Sequence, residues 1–249
     1  MKLLLINPNI SDSVSALIRA EATRSASPGT ELEVLTAPFG VAYIETRFEA
    51  LIGAYAAAQV AAEHHGRCDA VVVAAFGDPG LAGLREALPL PVTGLTEAAL
   101  ATAIQLGARF SIVAISQRIR AWYRETVQAC GLEGRLASIR ALDEPLADIG
   151  GVQGEQGERL VQLAERCVAD DGADVIVLAG APLAGLARQV RERLPVPVVD
   201  GVSCAVRQAE LLVATRPVAH RRGSFAPPPA KPHQGLPPAI ARLLAPATN

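Results

Sequence analysis

The sequence predicts an α/β protein built as two pseudo-symmetric parallel-sheet lobes with a ligand cleft between them. Two observations carry that expectation. Short apolar runs alternate with longer amphipathic stretches along the whole chain, the signature of strands joined by covering helices. One such unit also returns: DAVVVAAFGDPGLAGLREALPLPV at 69–92 is echoed by DVIVLAGAPLAGLARQVRERLPVPV at 174–198.

The elements follow in order. LLLIN opens the chain and leads into a helical stretch at 12–25; LEVLTA precedes a helix at 46–65, AVVVAAF one at 80–88, and PVTGL one at 96–106. In the second half FSIVAIS precedes 118–130, IRALD precedes 154–170, VIVLAG precedes 184–193, and PVVDG runs into 202–214. Counting back from LPLPV and LPVPV sets Ala75 opposite Gly180, and LTEAA after Gly94 opposite VSCAV after Gly201. The expected units are residues 1-95 plus 206-216, residues 96-205, and a Pro-rich tail at 217-249 with eight prolines, which carries no assigned chemistry. A single doubly wound sheet with two similar halves is the alternative this pattern leaves open. In parallel sheets ligands sit beyond the carboxyl ends of the strands, so the ends at Asn7, Ala75, Ser116 and Gly180 are expected to converge on a cleft.

Composition narrows the function. Half of the 249 residues are hydrophobic, enough for a core without disulfides or metal. A formal charge of -2 with both signs interspersed offers no face for nucleic acid, which leaves a small molecule as the expected partner. The N-terminal apolar run LLLI stops at Asn7-Pro8-Asn9, too short for a signal segment or membrane span, so a cytoplasmic protein is expected. Cys68, Cys130, Cys167 and Cys204 show no CxxC or Cys/His spacing, so no metal site and no disulfide framework is indicated. His64, His65, His220 and His233 read as surface residues.

Taken together, INPN at 6–9, GVAYIETRFE at 40–49, FGDPGL at 76–81, PVTG with TEAA at 91–99, RFSIV at 109–113, VIVL at 175–178 and VDGVS at 199–203 resemble, in order and spacing, the hydantoin racemase branch of the aspartate/glutamate racemase superfamily. The resemblance runs over residues 1–226. It implies two α/β lobes, no cofactor, and two cysteines that face each other across a small substrate and exchange protons at a carbon beside a carbonyl. Racemisation takes a proton from one face and delivers one to the other, so it needs two opposed acid/base groups, which a duplicated lobe supplies. A homo-oligomer is also expected.

The same resemblance exposes a departure. The family's first cysteine stands immediately before FGDPG, where this chain has Ala75; the second stands two residues after the leucine of VIVL, where it has Gly180. Neither side chain carries an ionisable group. No Cys, Ser, Asp or Glu lies between Val71 and Phe76 or between Val175 and Gly185, so a small shift of alignment restores nothing. The second turn has also gained Ala181-Pro182-Leu183 in place of the family's Gly-Met pattern, which favours natural divergence over a laboratory double substitution.

Other residues are therefore candidates, each with a structural role beside the functional one. Asp78 is a possible base or the Asx residue of its turn. Cys204, near a helix start that can lower a thiol pKa, is a nucleophile or a core thiol. Tyr43 and Glu45 lie in the loop that caps the family's pocket, where the phenol suits a carbonyl and Glu45 suits either substrate or a helix cap. Asn7 and Ser11 suit a carboxylate or imide, or an ordinary turn; Ser116 suits substrate or a helix N-cap. Backbone N–H groups at Phe76, Gly77, Asp78 and Ala181 can cradle an anion or enolate without any cysteine. Two functions compete: a cofactor-independent enzyme diverged toward a lyase, isomerase or amide-cleaving reaction, and a ligand-binding pseudoenzyme that keeps the cleft.

Overall fold

Sheet A and sheet B have the same strand order, β2-β1-β3-β4 and β6-β5-β7-β8, and every pairing is parallel. The computed structural model describes residues 1–143, 149–215 and 222–244. The first half contains β1 (Lys2–Asn7), α1 (Asp12–Ser25), β2 (Glu31–Thr36), α2 (Arg47–His64), β3 (Ala70–Val73), α3 (Leu81–Ala87), β4 (Val92–Gly94) and α4 (Leu95–Leu106). The second repeats the plan with β5 (Phe110–Ala114), α5 (Arg120–Ala129), β6 (Leu136–Ala141), α6 (Val152–Ala169), β7 (Val175–Leu178), α7 (Leu186–Val190), β8 (Val198–Asp200) and α8 (Gly201–Thr215). Two sheets, rather than one doubly wound sheet, answer the question left by the repeat.

Alternation along each strand divides the core. Leu3, Leu5 and Val72 of sheet A share a central cluster with Phe110, Ile112 and Val177 of sheet B, while Leu4, Ile6, Val71 and Val73 face α2 and α3. Ile176 and Leu178 turn the other way, toward α6 and α7. Because both faces are covered, the strands read as unbroken apolar runs. Each fully buried Leu or Ile contributes about 1.5–3 kcal/mol relative to exposure.

The two halves exchange helices. α4, which follows the last strand of sheet A, packs on β7 and β8, whereas α8, which follows the last strand of sheet B, returns to β3 and β4. An ion pair with one enclosed partner adds to this seam: the half-exposed Arg188 of α7 donates from Nε to Glu21 of α1 at 2.7 Å, and the Glu21 side chain is fully enclosed.

Several boundaries differ from the sequence expectation. The helix expected at 184–193 is α7, only five residues, preceded by a 3-10 turn at Ala181–Leu183, because Pro182 and a left-handed Gly180 shape the chain there. α2 begins at Arg47 behind a capping box in which Thr46 and Glu49 satisfy each other's backbone amides. His64 and His65 are half-buried rather than on the surface, while His233 is exposed. Of the tail, α9 (Pro238–Leu243) packs against α2, and Phe225 lies over the Arg85 guanidinium at 5.9 Å. Residues 217–221, His220 among them, and 245–249 lie outside the described residues.

Candidate functional site

Two turns define the site, one after β3 and one after β7. In the first, Asp78 N–H donates to the Ala75 carbonyl at 3.2 Å, and Asp78 has φ of 50°, the one positive φ among the described non-glycine residues. Its carboxylate accepts the amides of Thr96 and Glu97, each at 2.9 Å, and so caps the start of α4 from a distance. The Thr96 hydroxyl accepts the Gly77 amide at 2.6 Å, completing the attachment. Burial pushes the Asp78 carboxyl up to about 7 against the lowering effect of those two amide donors.

The second turn uses no carboxylate. Leu183 N–H donates to the Gly180 carbonyl and Ala184 N–H to that of Ala181, both at 3.0 Å. From α6, the Gln153 side-chain amide donates to the carbonyls of Pro182 at 2.8 Å and Ala184 at 3.0 Å. Gly180 has φ of +110°, a conformation that L side chains rarely adopt.

Aromatic side chains from α5 fill the space between these turns. The Tyr123 ring packs on Phe76 with centroids 4.7 Å apart, and its hydroxyl lies 4.0 Å from where a Cβ on Gly180 would stand. Trp122 covers the first turn so closely that a Cβ on Gly77 would fall 2.3 Å from its Cζ2 atom. Ala75, next to Phe76, and Gly180 thus lie on turns that meet across Tyr123. Sequence reasoning missed both aromatic residues. The available signal was the chain's single tryptophan beside one of its three tyrosines, just after the FSIVAIS strand.

A third contact joins the strand ends. The Ser116 hydroxyl, beyond β5, donates to the Glu45 carboxylate from the loop before α2, and Arg118 Nε lies 3.8 Å from the other Glu45 oxygen. Ser116 also accepts the Arg118 amide at 3.2 Å, the cap-like contact foreseen for it, although α5 starts only at Arg120. Glu45 does not cap α2; its own amide donates to Glu49. Burial, and then the neighbouring Glu45 carboxylate, raise the Tyr43 phenol above its ordinary pKa.

The remaining candidates are engaged elsewhere. Asn7 is fully buried, donating from its side chain to the Ser11 carbonyl at 3.1 Å and the Ser15 hydroxyl at 2.9 Å, and accepting from the Asn9 amide. Ser11 caps α1 by accepting the Val14 amide. Both therefore serve the turn into α1, and neither presents a free donor. Cys204 corrects the expectation of a lowered thiol: burial pushes it up to about 11, and it lies in the central core with Thr102 of α4 beside it. Of the expected anion cradle, Gly77 and Asp78 have their amides occupied, whereas those of Phe76 and Ala181 meet no hydrogen-bond partner among the described residues, one on each turn. A cavity of about 760 Å³ lies apart from these turns, beside Arg85, Glu97, Leu212 and Phe225.

Comparison with known proteins agrees with this geometry. A family model described as Asp/Glu/Hydantoin racemase matches residues 3–209. The chain is 37% identical over 233 residues to hydantoin racemase from Paenarthrobacter aurescens, covering 93% of this chain and 99% of that one. Allantoin racemase from Klebsiella pneumoniae superposes with a TM-score of 0.91 at 34% identity, over 96% of this chain and 98% of its own. Allantoin racemase from Pseudomonas fluorescens gives 0.88 at 35% identity, over 94% and 100%. Fold and sequence thus agree, and the chain belongs to the Asp/Glu/hydantoin racemase family, in its hydantoin racemase branch.

Proposed function

We propose that this chain takes a small carbonyl-bearing ligand, a cyclic ureide or an amino-acid-like carboxylate, where its two turns meet, and that it has left racemisation by two opposed thiols. The observation that carries this reading is that Ala75 and Gly180, where the resemblance sets the family's cysteines, lie on turns gathered around Tyr123 without an ionisable group at either. Relatives that are hydantoin and allantoin racemases support the ligand class. A base on one face and an acid on the other are required to invert a carbon through a planar intermediate. Asp78 is bound to α4, and Cys204 lies in the core.

In its enzymatic form the chain is a cofactor-independent, cytoplasmic homo-oligomer that works from one face as a lyase, isomerase or amide-cleaving enzyme. Glu45 favours this form, because it is a carboxylate hydrogen-bonded across the strand ends to Ser116. The second reading, a ligand-binding pseudoenzyme, is favoured by the engagement of Asp78 and the burial of Cys204.

Proton NMR in deuterium oxide with hydantoin, allantoin, amino acids and a substituted malonate tests both. A new product identifies the diverged enzyme, and thermal stabilisation without chemistry identifies the binding protein. Loss of the α-hydrogen together with optical activity would sink the proposal, since two-faced exchange would then survive without the thiols. Restoring Ala75→Cys with Gly180→Cys is expected to create exchange that neither single variant shows. A Cβ at Gly180 meets nothing nearer than 3.5 Å, so the new thiol has room although its backbone is strained.

A further inference from the structure

We propose that the proline-rich strap at residues 226–237 of one copy of this chain docks on the uncovered aromatic stripe of α2 in a second copy. The inference rests on the homo-oligomer of the reading above and gives it a contact surface.

The stripe is a helix face that the fold leaves open. From Ala50 to Ala62 α2 carries no charged side chain, and a helix that is apolar all round is normally covered all round. Phe48, Leu51 and Tyr55 fall on one side of it, and Phe48 is 72% and Leu51 68% exposed. The Phe39 ring extends the patch, 5.9 Å from that of Tyr55. α9 of the same chain packs on α2 but leaves these side chains exposed.

The strap has the matching shape. Ala226 (φ −62°, ψ 142°) and Pro237 (φ −54°, ψ 145°) bound it in polyproline II geometry, and residues 227–236 make no hydrogen bond to any described residue. Residues 229–235 are all exposed. Phe225 over Arg85 holds one end and α9 on α2 the other, so the strap is presented at little further ordering cost. Such proline segments dock on aromatic surfaces. Pro229 and Pro232 share one face of the strap about 9 Å apart, close to the spacing of about 10 Å between Phe48 and Tyr55 along α2.

Charge and connectivity name the second copy as the occupant. Beyond Leu211 the chain has five cations and no Asp or Glu, whereas residues 1–215 hold all 25 carboxylates against 18 cations. The strap, with Lys231 exposed, is therefore drawn to the acidic body of another copy. Both of its anchors are engaged while the stripe of the same chain stays open, so the strap that covers that stripe comes from elsewhere.

The test replaces Phe48 with the photo-crosslinker p-benzoylphenylalanine in the full chain, mixes that protein with ¹⁵N-labelled parent chain, and maps the cross-linked peptides beside sedimentation velocity. The expected result is mixed-isotope cross-links from position 48 into residues 226–237, with a yield that falls in about 0.5 M salt. Pro229→Gly with Pro232→Gly should lower that yield about tenfold, because the strap loses its preset shape, and should leave the melting temperature unchanged. An oligomer without mixed-isotope cross-links into the strap, cross-links confined to one chain, or an equal yield from the glycine variant would overturn this inference and leave the homo-oligomer standing. A monomer at every concentration would overturn both.

Discussion

The turns after β3 and β7 hold equivalent places in the two sheets, but they are fastened by different means. The first depends on an ionisable group, Asp78, which reaches the amides at the head of α4 while Trp122 presses on Gly77. The second depends on a neutral amide, Gln153, and a proline, and a side chain added at Gly180 would meet only ordinary contacts. Equivalent topology therefore fixes where a turn stands without fixing what holds it. The first turn is crowded and sensitive to titration; the second is roomy and indifferent to pH.

The largest expected effect is steric. Gly77→Ala must displace Trp122 and adopt a left-handed conformation, and should cost at least about 3 kcal/mol in chemical denaturation, against about 1–3 kcal/mol for Gly180→Ala, which meets backbone strain alone. Equal losses would erase the contrast between crowded and roomy turns. Next comes the seam between the lobes: Arg188→Ala leaves Glu21 enclosed with weaker partners, and a loss of about 2–4 kcal/mol is expected.

The pH dependence is smaller and specific to the first turn. Because the folded Asp78 pKa is raised from 3.8 to about 7, the folded chain keeps a proton that the unfolded chain has released between those values. Its contribution to stability therefore falls as pH rises through that window, and Asp78→Asn should flatten that part of a melting-temperature profile. Gln153→Ala, acting on the second turn, should lower the profile without changing its slope. At the bottom stands Arg47→Ala. Arg47 Nε donates to Glu125 at 2.8 Å, but both side chains are exposed, so the change should be under about 1 kcal/mol and should shrink further in salt.

Much of this contrast was legible in the sequence. AVVVAAF and VIVLAG announce buried parallel strands, and the repeat counts Ala75 and Gly180 onto equivalent turns because strand, turn and helix lengths were retained. What could not be seen was the use of side chains across the fold. Asn7 looks like a ligand donor until Ser15 is found beside it, and Cys204 looks activated until the weight of its surroundings is counted. Trp122 and Tyr123 are neighbours on one helix, and helical periodicity does not reveal that Trp122 closes onto the turn at Gly77 while Tyr123 reaches both Phe76 and Gly180, each more than forty residues away. Those contacts depend on how one sheet sits against the other.

The exchange of α4 and α8 also bears on how the chain is made. All of sheet A has been synthesised by Gly94, but the helix that returns to β3 and β4 begins only at Gly201. Through the synthesis of those intervening residues, part of an apolar sheet face waits for a cover not yet translated. Nascent chains of this architecture should therefore engage trigger-factor-like holdases early and release them late, and a truncation before α8 should yield a sticky, aggregation-prone species rather than an independent half.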